Sequence, residues 1–164
     1  MLKRNSVLGG AASIEFTGIP QDGVDLVLLV SGRSTASAST GIPIKIAFNS
    51  DTINANYLGR FLIGEGSAVN SYSLGSREIA DVVNSTQTAN TFSNNFLRVA
   101  NYAGSNNKSF SVDSVTENNA TAYRGRILAG LWNDTSAITA ILLSLGSGSF
   151  AQYSTASLYK ITAD

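Results

Sequence analysis

The sequence has 164 residues, the length of one domain with a core of its own. Only 13% of the residues are charged, against about 25% in an average globular protein, and 11 basic and 11 acidic residues leave a net charge of zero. The absence of Cys and His excludes disulfides, thiolate nucleophiles, histidine bases and most zinc sites, and no basic stretch supports binding to nucleic acid.

Residues 1–11 are predicted to form a flexible N-terminal arm, because Gly9 and Gly10 allow a hinge. The alternative is an arm that docks on a neighbouring subunit. Residues 12–164 are predicted to form a single domain. The N-terminus has two basic residues but no apolar segment of useful length, so we predict neither a signal peptide nor a membrane span.

The apolar pattern beyond the arm predicts short strands separated by turns rich in Gly, Pro, Asn and Asp. Residues 26–30 are wholly apolar, which favours a central strand that is buried on both faces or lies at a subunit contact. The predicted strands are 13–17, 26–30, 42–48, 57–63, 96–102, 108–115, 123–132, 136–145 and 157–161.

Two regions are harder to interpret. Residues 67–95 are rich in Ser, Thr and Asn and hold short candidates around 69–74 and 78–83. For 76–83 we favour a strand or loop over a short helix. Residues 123–145 are predicted to form a hairpin that turns at Asn133 and Asp134. Ile138 is out of phase with the apolar face of its strand, and a bulge near Ala140 would reconcile the two.

The sequence lacks segments with the pattern of crossover helices, so a parallel α/β sheet is not expected. The pattern favours an all-β fold, an antiparallel β-sandwich of jelly-roll type with about 8–10 strands.

No catalytic, cofactor or metal site is predicted. The acidic residues are scattered singly beside turn residues, whereas a glycosidase needs two carboxylates across a cleft. Gly146–Ser149 resembles a phosphate-binding loop in composition alone, because the Lys-Ser/Thr and the helix that should follow are missing. Asp51 with Asn49 and Asn54 offers oxygen ligands for calcium, but one carboxylate is too few for a tight site.

Three aromatic residues are candidates for an interface or a ligand platform: Trp132, Tyr153 and Tyr159. A platform for sugars would expose the Trp132 ring. We favour the other interpretation, in which Trp132 ends a strand and packs in the core or a subunit interface. Burial of the ring decides between the two.

Several short segments occur in a fixed order along most of the chain: FTGIPQ at 16–21, DLVL at 25–28, FNSDT at 48–52, NY at 56–57 and 101–102, LWNDTSAI at 131–138, FAQYS at 150–154 and LYKI at 158–161. This set resembles a group of tailed-bacteriophage virion proteins with a jelly-roll β-sandwich. The sequence departs from the group's pattern at Ser50 and Lys160, where glycine is usual.

The resemblance implies a non-enzymatic structural protein on the capsid surface of a virion. It favours a capsid decoration (cement) protein that binds the major capsid protein and assembles as a homotrimer, with neither nucleic acid nor membrane as a partner. The first alternative is a receptor- or glycan-binding module of a tail fibre or spike. The second is a carbohydrate-active enzyme, which would need two carboxylates facing each other across a cleft.

Overall fold

The described part of the chain folds into twelve β-strands. The computed structural model describes residues 2–7, 10–116 and 123–163, and within these ranges the helical residues are a short 3-10 turn at Asn54–Asn56. The strands are β1 (Lys3–Ser6), β2 (Ser13–Phe16), β3 (Asp25–Ser31), β4 (Ile42–Phe48), β5 (Tyr57–Glu65), β6 (Ala68–Leu74), β7 (Glu78–Val82), β8 (Asn94–Val99), β9 (Lys108–Val115), β10 (Arg124–Trp132), β11 (Ile141–Leu145) and β12 (Thr155–Ile161).

The strands form two antiparallel sheets. The large sheet has eight strands in the order β1-β12-β3-β8-β9-β10-β5-β6, and the small sheet has four in the order β2-β11-β4-β7. The chain passes between the sheets several times, for example from β2 to β3 and from β10 to β11. This arrangement confirms the predicted antiparallel β-sandwich. The strands in the described ranges outnumber the predicted 8–10, because β1 lies in the segment predicted to be an arm, and β6 and β7 form at the short candidates around 69–74 and 78–83.

Alternation along the strands places the core between the two sheets. In β9 and β10 every second residue is buried, and Val112 and Leu128 face each other across the ladder on the inner side. The small sheet contributes wholly buried side chains such as Ile44, Ile46 and Leu143. A period of two residues puts one face of each strand on the core and the other outside.

The two sheets are tied together at one end by Asp51, Trp132, Tyr57 and Phe48, called the inter-sheet clip below. Trp132 ends β10 in the large sheet, and its indole N–H donates to Oδ2 of Asp51 in the turn after β4 (2.7 Å). The Tyr57 hydroxyl accepts from the N–H of Phe48 (2.9 Å) and donates to the carbonyl of Asp51 (3.1 Å). The rings of Phe48 and Trp132 pack at a centroid distance of 5.3 Å.

The predicted hairpin at residues 123–145 is wrong. β10 pairs with β5 and β9 in the large sheet, whereas β11 pairs with β2 and β4 in the small sheet. The segment between them is a crossing loop, held by the Asn49 side chain, which donates to the carbonyl of Ala137 and accepts from the N–H groups of Thr139 and Ala140. Ile138 is buried without being in a strand, so no bulge near Ala140 is needed.

The segment predicted to be a flexible arm contains a paired strand instead. Lys3–Ser6 lies antiparallel to β12 at the edge of the large sheet. The N–H of Val7 also bonds to the carbonyl of Ser154 (2.8 Å). Backbone hydrogen bonds, which composition does not reveal, therefore fix this segment on the chain's own sheet. Gly9 lies outside the described residues.

Strand β3 is buried on one face only. Leu26 and Leu28 face the core, but Leu29 is exposed on the other side of the sheet. Of the two alternatives for residues 26–30, burial on both faces is therefore wrong for the single chain, and a subunit contact stays a prediction.

The polar segment 67–95 holds β6, β7 and a loop organised by Arg33. The Arg33 guanidinium donates to four carbonyls of this loop, those of Ser85, Gln87, Thr88 and Thr91. Residues 78–82 form a strand, as favoured over a helix.

Asp51 makes the stability of the clip depend on pH. Burial opposes ionisation of its carboxyl, but hydrogen bonds from Trp132 and Asn56 outweigh burial and lower the pKa of Asp51. A lowered folded-state pKa means that the stabilisation is complete above the unfolded-state value of about 3.9 and is lost as pH falls through the folded-state value.

We expect Asp51→Asn to reduce the free energy of unfolding near neutral pH by about 1–3 kcal/mol, because a charged acceptor of several hydrogen bonds is lost. The difference from wild type should shrink as pH falls below the unfolded-state pKa of about 3.9 and through the lower folded-state pKa, where the native carboxyl becomes protonated. Urea unfolding at neutral and acid pH measures both effects. Asp113→Asn, at an exposed position of β9, is the control and should change stability by less than about 0.5 kcal/mol. Equal stability of Asp51→Asn and wild type at neutral pH would contradict the role of the clip.

Candidate functional site

The face of the large sheet that points away from the small sheet is called the outer face. Residues that lie opposite each other in the strand ladders share a face. One row of the outer face runs in register across seven strands, from β12 to β6, and consists of Ser157, Leu29, Phe96, Asp113, Ile127, Leu62 and Ser71.

Apolar side chains are exposed along this row. Ile127 is 60% exposed, and Leu29, Phe96 and Leu62 are also classed as exposed. Val115 extends the apolar area to the neighbouring row on one side, and Leu58 lies two rows away on the other side, beyond Arg60 and Ala129. Asp113 separates the pair Leu29 and Phe96 from the pair Ile127 and Leu62. Single exposed apolar residues are ordinary, but several of them on one face, beside a charge, are typical of a protein–protein contact.

A second row of the outer face has small residues between two arginines. Arg98, Ser111, Ala129 and Arg60 lie opposite one another on β8, β9, β10 and β5. Two shallow depressions of about 420 and 410 Å³ lie on this row, and both include Ser109 and Ala129 in their lining. The small side chains therefore leave a trough across the middle of the sheet.

Both arginines are held in place by neighbours. Nη2 and Nε of Arg98 lie 2.6 and 3.0 Å from Oδ2 of Asp25, whose Oδ1 accepts from the N–H of Asn101 (3.0 Å). Burial opposes ionisation of Asp25, but these donors outweigh it and lower the pKa of the carboxyl. Arg60 donates to the Ser73 hydroxyl (3.1 Å). The guanidinium groups thus have defined positions beside the apolar area.

The structure does not bring the three candidate aromatic residues together. Trp132 is 1% exposed and belongs to the inter-sheet clip, so the predicted structural role of this ring is confirmed. Tyr159 is half-buried on the outer face of β12, next to Leu29 and Ser157 in a shallow depression. Tyr153 is 70% exposed at the turn before β12.

The oxygen atoms considered for calcium bind donors of the protein. Oδ1 of Asp51 accepts from the N–H of Ile53, and Oδ1 of Asn54 faces the N–H of Arg77. Oδ1 of Asn49 accepts from the crossing loop. No group of three or more acidic side chains suited to a metal occurs in the described part of the chain. None of the helices within those ranges has the length and apolar character needed to cross a membrane.

A buried charged cluster between the sheets was not predicted. Asp81 on β7 is buried and lies 2.8 Å from Nη1 of Arg126, while Nε of Arg124 lies 3.0 Å from Glu65. The Arg126 guanidinium also stacks on the Phe61 ring at 4.1 Å. Arg126 occupies an inward position of an alternating strand, which was the signal that sequence reasoning overlooked. The acidic groups are paired with arginines, and one arginine stacks on an aromatic ring. These contacts explain how the charges are tolerated inside the fold without a ligand.

The comparisons with known proteins identify no family. No family model matches the chain, and no curated protein matches it. Solved structures that match include the exoplasmic/lumenal domain of VIP36 in its Ca2+/Man3GlcNAc-bound form, with 12% identity and a TM-score of 0.39 over 97% of this chain and 79% of that one. Identity at this level does not transfer a function.

Tyr153 has an unusual backbone conformation. Its φ is 71°, in the left-handed region that disfavours residues with a Cβ. Its N–H donates to the carbonyl of Val7 (2.8 Å), which helps to hold the turn in place. The left-handed backbone at Tyr153 lowers the stability of the fold, and the exposed ring makes too little packing contact to offset this loss.

We expect Tyr153→Gly to raise the free energy of unfolding by about 0.5–1 kcal/mol, because relief of the left-handed strain exceeds the entropy that glycine adds to the unfolded chain. Chemical denaturation of the two proteins measures the change. A loss of stability would show that the Tyr153 ring contributes packing that offsets the strain.

Proposed function

We propose that this protein is a non-enzymatic structural protein of a tailed-phage virion, a capsid decoration (cement) protein. In this proposal it binds the major capsid protein on the outside of the shell and acts as a homotrimer. Binding across a junction between capsomers adds contacts that the shell itself lacks, and so stabilises the particle. In this proposal the protein acts by binding through its surface and catalyses no reaction.

The observation that supports this proposal best is the outer face of the large sheet. Its exposed row offers apolar side chains to a partner, with Leu29 and Phe96 on one side of Asp113 and Ile127 and Leu62 on the other. The sequence resemblance described above supports a virion as the setting for such a contact. The proposal therefore places the capsid shell against this face.

The charges near the face suit a specific contact. Arg98 and Arg60 are held by neighbouring side chains, so little conformational entropy is lost when a partner carboxylate meets them. The zero net charge of the chain avoids long-range repulsion between many copies on one shell. In the proposed contact, burial of apolar side chains provides the affinity, and the two arginines fix the position of the partner on the face.

The test uses purified particles of the phage that encodes this chain, and empty heads made without it. We expect the protein on the head in electron microscopy, and purified protein should rebind to the deficient heads. Ile127→Lys should weaken rebinding at least tenfold, because a charge enters the apolar contact. Ile53→Lys is the matched control, since Ile53 is 61% exposed and lies in the turn after β4, outside the strands of the large sheet.

The outcomes separate the two parts of the proposal. Absence of the chain from purified particles would overturn the virion role. Rebinding of Ile127→Lys with wild-type affinity would overturn the outer face as the contact surface while leaving the virion role in place.

A second candidate is a receptor- or glycan-binding module of a tail fibre or spike. The exposed Tyr153 ring favours it, because a strained and unpacked aromatic residue suits stacking on a sugar. A glycan array should then show binding that Tyr153→Ala abolishes and Tyr72→Ala, at another exposed tyrosine, retains. No binding by the wild type to any glycan on the array would count against this candidate.

A further inference from the structure

Strand β6 forms one edge of the large sheet and is exposed on both faces. It pairs with β5 on one side, and no other strand in the described ranges pairs with its second side. Six of its seven residues are exposed, and Val69 reaches 71%. The small sheet does not cover this end of the large sheet, so β6 projects beyond the sandwich.

β6 lacks the features that keep other edges from pairing. Natural edge strands are shortened, charged or interrupted by proline, because a free row of N–H and C=O groups is a template for another strand. The other three edge strands of the two sheets all carry charges: Lys3 in β1, Glu15 in β2, and Glu78 and Asp81 in β7. Residues 67–76 have neither charge nor proline.

The hairpin geometry indicates which backbone groups are free. Gly66 and Ser67 form a two-residue turn, with φ of 57° at Gly66, and Glu65 lies opposite Ala68. The pair that closes such a turn is hydrogen-bonded, and bonded pairs alternate along the ladder. Every second residue from Ala68 therefore bonds to β5. The groups that point to the free edge belong to Val69, Ser71 and Ser73.

We propose that β6 pairs with β6 of a second copy of this chain, antiparallel about a twofold axis at Ser71. Ser71 is the middle residue of the seven-residue strand, so this register overlaps the whole edge. Val69 then lies opposite Ser73 of the second copy, and about six backbone hydrogen bonds form. No like charges oppose each other, because the strand has none. A twofold contact is satisfied by identical surfaces and needs no other partner.

The pairing would also join the outer faces of two copies. Ser71 lies beside Leu62 and Ile127 in the row described above. Across the twofold axis the row would run from Ile127 and Leu62 of one copy to the same residues of the second. The contact is distinct from the proposed capsid function and does not depend on it. It joins two copies, so a homotrimer would need a further surface.

The test is a charge swap at the twofold axis. At about 100 μM in sedimentation equilibrium, the wild type should have at least twice the molar mass of Ser71→Lys or Ser71→Glu, because like charges then oppose each other. An equimolar mixture of the two variants should restore the wild-type mass. Ser111→Lys, on the outer face of β9, adds the same charge away from the edge and should leave the mass unchanged.

A second variant tests the backbone geometry. Ser71→Pro removes an N–H that points to the free edge, so the monomer should keep its fold and melting temperature while the association is lost. A wild type with the single-chain mass of 17.1 kDa would overturn the proposal. So would Ser71→Lys with the wild-type mass, or a mixture of the two variants that stays dissociated. If Ser111→Lys alone dissociates the protein, the copies meet through the outer face, and the edge contact is rejected.

Discussion

The inter-sheet clip is the interaction on which the arrangement of the two sheets depends. A β-sandwich buries side chains between its sheets, but apolar contacts are not directional and do not by themselves fix how one sheet lies on the other. The hydrogen bonds of Asp51 and Tyr57 are directional, and they join the turn after β4 to the ends of β10 and β5. Trp132 provides both the hydrogen-bond donor and a large buried ring, so the same residue fixes the contact between the sheets by a directional bond and by apolar packing.

The unequal size of the sheets decides which surfaces remain for partners. Four strands cannot cover eight, so β6 stays outside the sandwich, and no strand of the described ranges covers the outer face of the large sheet. The exposed Ile127 and Leu62 and the uncharged edge around Ser71 lie in the same region. The residues that stabilise the fold and the exposed surfaces therefore lie in different parts of the molecule. The clip and the core stabilise the fold, whereas the outer face and β6 are exposed.

Strands with regular alternation could be predicted from the sequence, and those without it could not. Residues 108–115 alternate strictly and form β9, and the position of Trp132 at a strand end correctly suggested a structural role. Ile138 misled the prediction because a crossing loop buried it, and burial in a loop leaves no periodic signal. β6 has no buried face, so no regular apolar alternation supported the short candidate around 69–74. The pairing of Asp81 with Arg126 joins residues far apart in sequence, which no local pattern encodes.

The position of β12 between β1 and β3 has a consequence for synthesis of the chain. The last strand is an interior member of the large sheet, and it separates the first strand from the third. During translation, β3 therefore lacks a neighbour on one side, and β1 lacks its partner, until residues 155–161 have left the ribosome. Such long-range pairing slows folding, because the whole chain must close before the sheet is complete. Until then the nascent chain exposes two strand edges that only its own C-terminal segment can satisfy.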